Sequence, residues 1–355
     1  MQFRVAASIG NVNLMSESKP FVTVIVLNYN GRSFLRTCFS SLALTNYPKS
    51  KFEVLLVDNG STDGSTEFVE SNFPWVRIVK LHQNFGFGGG NNRGVKFANG
   101  QYIAFLNNDT EVTQNWLLEL VQASVERSIP ICGSKTLMMR NRSLVDFGGG
   151  KLTVVGRGYA VGFLEADDGW IKSSLTGYPC ASSMLINKDV FRQLGGFDED
   201  YFACLEDTDL GWRAWLLGYK TLFCSESVVY HNYGGTSGEG RLSPLKAFHG
   251  TKDPFITIFK NLELKNLFIG IMFAVAFDLG EGILLVKSRN IECLKMKAKA
   301  YSWLYGHLSS ILSKRQLVQN KRKVSDKWLS EMGFISPLSS AFKEYIRLSK
   351  VAPQV

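Results

Sequence analysis

Several polar clusters carry side chains that could do chemistry. Asn107-Asn108-Asp109 closes a short apolar run, 102–106, on a carboxylate. An acid just beyond a strand can hold a divalent cation, and such a cation can hold a diphosphate. The same residues also suit a plain turn, with Asp109 or Thr110 capping a helix over 113–127. Glu206-Asp207-Thr208-Asp209 puts three acids at the start of another predicted helix. The helix dipole favours acids there, but three in four residues exceed what capping needs. Asn28-Tyr29-Asn30 and Asp58-Asn59 end two further apolar runs, and a glycine-rich stretch runs from Asn84 through Gly88 to Asn91. His231 follows the last short apolar runs, with Arg241 downstream of it. A lone histidine more often serves structure than ligation.

The elements that must position these residues follow from periodicity. The β-branched run 21–27, then 52–57, 76–81 and 102–106, read as four buried strands separated by helical patterns. Alternating strands and helices predict a mostly parallel sheet with helices on both faces. All four strands end in polar loops, and on a parallel sheet those ends line one edge. That convergence marks a site more strongly than any single motif. The glycine-rich loop is expected to reach 92 before the next helix. Beyond 127 the pattern shifts to strands and hairpins: 129–139, 147–161, 178–186, and two brief strands at 220–224 and 228–230. Trp170 sits in a loop, where its face could meet a sugar, whereas Trp212 and Trp215 read as core.

The chain has 355 residues, 45% hydrophobic and 20% charged, as expected of a globular protein. Its formal charge of +9 is concentrated: 287–323 holds ten Lys and Arg against Glu292 alone. Such a block points to an anionic surface or to a solvated helix face. Six cysteines without a CxxC spacing read as reduced thiols, hence an intracellular protein. No long apolar run stands in the first twenty residues, so no secretory signal is expected, and 1–20 reads as a flexible tail.

Thr23-Val-Ile-Val-Leu-Asn-Tyr-Asn30, Val57-Asp-Asn-Gly-Ser-Thr-Asp-Gly-Ser65, Leu106-Asn-Asn-Asp-Thr110, Gly195-Gly-Phe-Asp-Glu199 and Glu206-Asp-Thr-Asp-Leu-Gly-Trp-Arg213 together resemble family 2 glycosyltransferases, nearest the rhamnosyltransferase-like branch. The resemblance covers about 21–238. It implies an α/β GT-A (nucleotide-diphospho-sugar transferase) fold over 21–245, with a donor-nucleotide half at 21–112 and an acceptor half at 113–245. It implies inverting transfer from a UDP- or dTDP-sugar, rhamnose among them, to a glycan or lipid-linked glycan acceptor. Asp58 would accept from the donor's base or ribose, with Asn28, Tyr29 and Asn30 framing the base. Asn84, Gly88 and Asn91 would let backbone approach the donor. Asn107-Asn108-Asp109 takes the place of the family's DXD motif with its first acid replaced by Asn. Asp109, with His231, would then hold Mg²⁺ or Mn²⁺. Asp207 would be the general base, with Glu206 and Asp209 supporting it, and Arg241 a further contact near the phosphates. The missing acid leaves one alternative, a catalytically silent nucleotide-sugar or carbohydrate-binding module of the same fold.

The region 246–355 reads as helical and basic. The stretch 267–286 is long enough to span a membrane, but Asp278 and Glu281 interrupt it. Each charge costs about 3 kcal/mol at mid-bilayer on insertion scales. A helix pair over 267–323 lying on an anionic membrane surface, on the cytosolic face, is therefore preferred over a span. A helical unit packed on the main domain is the plain rival. No nucleic-acid partner is expected.

Overall fold

The computed structural model describes residues 19–233 and 243–351. Its first half follows the predicted alternation. Strands β1 (Val22–Asn28), β2 (Phe52–Asp58), β3 (Arg77–Lys80) and β4 (Tyr102–Asn107) are joined by helices α1 (Arg32–Ala43), α2 (Ser65–Asn72) and α3 (Gly86–Val95). They lie parallel in the spatial order β4-β1-β2-β3, so their carboxyl ends share one edge.

Past β4 the chain departs from the sequence reading. Thr110–Val112 is not a cap but a short strand, β5, and helix α4 begins only at Trp116 and ends at Glu126. Four strands follow at β6 (Ile131–Met138), β7 (Val145–Phe147), β8 (Gly150–Thr153) and β9 (Gly158–Ala160). Next come β10 (Ser174–Leu175), β11 (Ser183–Asn187), α5 (Lys188–Gln193) and α6 (Glu206–Leu216). The two brief strands expected at 220–230 are one strand, β12 (Thr221–His231), broken only by a register shift between Cys224 and Val228. A shift of this kind re-aims the end of a strand. It lets β12 pair with β6 and also turn onto β5, where His231 faces Thr110.

The sheet is consequently mixed. β11 enters between β4 and β6 antiparallel to both. Hairpins rather than a crossover helix precede it, so it can arrive from the opposite direction. One face packs Leu35, Phe39 and Leu42 of α1 with Trp116 and Leu120 of α4. The other packs Phe105, Phe191, Phe197 and Leu210.

The glycine run is helical, not a loop. Small residues let α3 lie close on the sheet: a Cβ on Gly90 would stand 2.5 Å from Leu27 Cδ1, and one on Gly94 2.7 Å from Val57 Cγ2. Gly86 opens the helix at φ +73°, and a Cβ there would meet the Phe202 carbonyl at 2.4 Å. Gly86→Ala should therefore cost about 1–3 kcal/mol from backbone strain alone, before the clash is counted. Urea denaturation checks this, and an unchanged midpoint would contradict it.

Beyond 243 the chain is helical and bound to the main domain: α7 (Pro244–Asn261), α8 (Leu264–Lys287), α9 (Ile291–Gly306), α10 (Leu308–Asn320) and α11 (Asp326–Glu331). Strand β13 (Ile335–Ser336) and α12 (Leu338–Val351) close it. β13 pairs with β8, and Lys323 N donates to Leu216 O. Among the described residues, α8 alone is long and apolar enough to cross a membrane. The basic block is less available than its sequence suggests. Lys297 and Lys314 pair with buried or half-buried carboxylates, Arg315 donates to the carbonyls of Phe259 and Leu262, and Arg322 pairs with Asp326.

Candidate active site

Side chains at the ends of β2, β1 and β4 form one hydrogen-bonded row. Asn28, fully buried, donates to Ser61 Oγ (3.1 Å) and Asp58 Oδ1 (3.4 Å), and accepts from Asn108 Nδ2 (2.7 Å). Asp58 Oδ2 accepts from Ser61 N (3.1 Å). Asn30 takes φ 51° and ties the loops together, accepting from Thr62 N at 2.8 Å. Tyr29 stands 43% exposed beside them, free to present a ring face. Asn59, given no separate role in the sequence reading, braces the third loop: it donates to Asn84 Oδ1 and Gly86 O and accepts from Phe85 N.

The end of β4 meets the end of β12. Asn107 Nδ2 lies 3.3 Å from His231 Nε2, which is 3.4 Å from Asp109 Oδ1. The other ring nitrogen, Nδ1, lies 2.7 Å from Asp146 Oδ2. Asp146 is itself buried and accepts from Thr136 Oγ1 (3.2 Å). Burial alone would lower the His231 pKa, but the carboxylates of Asp146 and Asp109 prevail and raise it to about 10. The imidazolium thus sits between two acids at neutral pH. No group of three or more His, Cys, Asp or Glu in metal-binding array occurs among the described residues. Asp109 and, once deprotonated, His231 are the side chains here that could hold a cation. A divalent ion that brings most of its ligands on a diphosphate fits such a pair, since metal binding releases the histidine proton.

The acids of α6 divide in role. Asp207 Oδ1 accepts from Thr208 N (2.6 Å), and its Oδ2 accepts from Ala181 N (3.1 Å). The next carbonyl, that of Ser182, accepts from Asn107 N (3.0 Å). Residues 181–182 thus link Asp207 to the end of β4. Burial raises the Asp207 pKa. Burial, with Asp207 beside it, raises that of Glu206 well above the ordinary carboxylate range. Glu206 Oε2 is buried with no hydrogen-bond partner among the described residues. Cys204 and Leu205, just ahead, both adopt positive φ, 77° and 63°, without being glycine. Asp209 does not join this group. Fully buried, it pairs with Arg213 (2.7 Å) and Lys260 (2.8 Å), which fixes α6 to α7.

The other residues expected at the site are placed differently. A Cβ on Gly88 would stand 3.0 Å from Phe197 Cβ, and Asn91, 1% exposed, donates to Phe87 O. Both serve internal packing rather than the crevice. Asn84 Oδ1 accepts from Gly86 N (2.9 Å), two residues on. Trp170 is exposed in its loop and donates to Ala166 O (3.2 Å). Arg241 lies outside the described residues. Asp146 escaped the sequence reading because its strand is three residues long and 85 positions from His231, and nothing local marks it.

Residues 23–135 match the model of Glycosyl transferase family 2. An O-antigen biosynthesis protein, RfbC of Myxococcus xanthus, is 31% identical over 60% of this chain and 17% of its own. The glycosyltransferase AglE of Haloferax volcanii is 32% identical over 34% of this chain and 44% of its own. The chain thus spans less than half the length of these two relatives. An N-acetylglucosaminyl-diphospho-decaprenol L-rhamnosyltransferase of Mycobacterium tuberculosis is 27% identical over 64% of this chain and 80% of its own. Of solved structures, Staphylococcus aureus TarS 1–349 superposes with a TM-score of 0.53 at 19% identity, covering 84% of this chain and 90% of that one. A mannosyltransferase of Pyrobaculum calidifontis, solved with GDP-Man and Mn²⁺, superposes with a TM-score of 0.52 at 15% identity, covering 86% and 87%. The matched strands, the shared edge at their carboxyl ends and these superpositions agree on the fold, GT-A, and residues 23–135 within it are what resembles glycosyltransferase family 2.

Proposed function

We propose that the chain is a metal-dependent, inverting glycosyltransferase that moves a sugar, rhamnose first among the candidates, from a UDP- or dTDP-sugar to a glycan or lipid-linked glycan on the cytosolic face of a membrane. The observation that carries the reading is the link through 181–182 between the Asp207 carboxylate and the end of β4. It brings a half-buried base beside a strand end suited to a diphosphate. Asp58 and Asn28 bind and orient the nucleoside, with Tyr29 and Asn30 at its edge. Asp207 takes the proton from the acceptor hydroxyl, whose oxygen bonds the anomeric carbon from the face opposite the nucleoside diphosphate. The bond to the diphosphate oxygen breaks, and configuration inverts. Mg²⁺ or Mn²⁺, held by Asp109 and His231, would neutralise charge on the leaving diphosphate.

The test is a panel of sugar nucleotides, with and without Mn²⁺, read by thermal shift and by transfer. The right donor at a hundredfold over its Kd adds about 2.7 kcal/mol of stability. Neither binding nor turnover with any donor would sink the proposal, and binding without turnover would favour the silent module.

Two further outcomes follow. Burial holds Asp207 above the ordinary carboxylate value of 3.8, and a base acts only when deprotonated. The acid limb of kcat/KM should therefore rise with pH at values above 3.8. A pH profile already flat down to that value would contradict the assignment. Asp146 orients His231 through Nδ1 and leaves Nε2 toward Asp109. Asp146→Ala should weaken Mn²⁺ binding in the presence of UDP by roughly 10–100-fold. Manganese titration by electron paramagnetic resonance reads this directly, and equal affinities would remove Asp146 from the role.

A further inference from the structure

Helix α8 turns its charges inward and its apolar side outward. Asp278, 5% exposed, takes Lys297 Nζ (2.5 Å), Thr251 Oγ1 (2.8 Å) and the Tyr301 hydroxyl (2.7 Å). Glu281 pairs with Lys297 (3.2 Å) and Arg157 (3.5 Å). On the opposite side Phe268, Met272, Phe273, Leu279, Ile283 and Leu284 are between 44% and 69% exposed. Between Lys265 and Lys287 the only charged residues are the two inward-facing acids. The outward face is therefore uncharged for about 33 Å, at 1.5 Å per residue.

Its surroundings indicate what covers it. Lys265 stands at one end, Lys287 and Arg289 at the other. Alongside, α9 exposes Lys299, Lys295 paired with the exposed Glu292 (3.1 Å), and Tyr305 at 86% exposure, while Tyr301, 39% exposed, turns its hydroxyl in to Asp278. An apolar face rimmed by cations and tyrosines complements an anionic leaflet, with lysine stems reaching up to the headgroups. A second copy would instead bring this cationic rim against itself. Spanning is disfavoured on the same geometry: it would strip Asp278 of Lys297 or carry the charged face of α9 into hydrocarbon.

We propose that α8 lies flat at the headgroup–acyl boundary of an anionic membrane leaflet and holds the acceptor half of the domain against it. The link to the site is short. Arg157 lies over the Phe277 ring (4.6 Å) as well as pairing with Glu281, and a Cβ on the next residue, Gly158, would stand 2.8 Å from Thr208 Oγ1, beside Asp207. A lipid-borne hydroxyl thus arrives on the side where the base sits. This last consequence rests on the proposed transfer reaction, whereas the docking does not.

Flotation of the full chain with phosphatidylcholine vesicles, with and without phosphatidylglycerol, tests it. The wild type should float with the anionic vesicles. Met272→Lys with Leu279→Lys should cut partitioning by roughly tenfold or more, while the thermal midpoint and UDP binding stay unchanged. Lys295→Ala with Lys299→Ala leaves the apolar face intact and should cost about fivefold per lysine on anionic vesicles, from about 1 kcal/mol each. Three results overturn the proposal: equal flotation of wild type and both variants, retention on membranes after alkaline carbonate extraction, or a lipid-indifferent dimer that the apolar-face substitutions split. UDP binding reads the catalytic proposal separately, so the two can fail independently.

Discussion

Asp207→Asn is expected to reduce sugar transfer by on the order of 10²–10⁴-fold while leaving donor affinity within about twofold. Asn keeps the size of the side chain and an oxygen for one of the two bonds from Ala181 N and Thr208 N, which now go to separate oxygens, so the fold should survive at the cost of one local hydrogen bond. What it lacks is the capacity to take a proton. Single-turnover transfer and calorimetric titration of the nucleotide separate the two effects. Full activity in Asp207→Asn would exclude it as the base, and equal loss of binding and transfer would make it a structural residue. Glu206 offers a contrast. Its folded-state pKa is raised, so its protonated form is favoured, and its contribution is lost as pH rises through that value. Glu206→Gln should therefore make the protein more stable at alkaline pH and change little in acid.

The second large effect concerns stability. Lys260, 1% exposed, is shared by Asp198 (2.5 Å) and Asp209 (2.8 Å), and Lys314 reaches Asp198 from α10. Burial alone would raise the pKa of both acids, but Lys260 with Lys314 lowers that of Asp198, and Arg213 with Lys260 lowers that of Asp209. Removing the shared lysine leaves two buried carboxylates under-compensated. Lys260→Met should cost about 3–5 kcal/mol, read from urea denaturation, and the cost should shrink when Asp198→Asn is added. Because these pKa values are depressed on folding, the network's stabilisation is present above the unfolded carboxylate pKa, about 3.9. It is lost as pH falls below that. A wild-type–variant gap that widened in acid would contradict this account.

The first half of the sheet, β1 to β4, was legible because its signals are local. Each strand is a β-branched run, each ends in polar residues, and parallel pairing then puts Asn28, Asp58 and Asn107 on one edge without further information. The strands beyond β4 depended on pairings between distant segments. Nothing at Thr110 announces that it will face His231 across a bent β12. Without that pairing, a cap was the natural reading of Asp109. The glycines misled in the other direction. A run of them reads as a loop by propensity, yet here the need to lie close on Leu27, Val57 and Phe202 overrides propensity and makes a helix. The charged C-terminal residues could be counted but not aimed. Only the folded chain shows that Lys297 and Lys314 point inward.

Cys204 and Leu205 give the start of α6 a history as well as a shape. Side-chain-bearing residues in left-handed backbone cost of order 1–3 kcal/mol each, and glycine at either position would relieve that cost. A search for sturdier variants should therefore select glycine here readily. The same change would loosen the peptide that aims Glu206 and Asp207, so robustness and turnover should pull selection in opposite directions at these two positions. Libraries screened only for heat tolerance should drift toward slow enzymes through them.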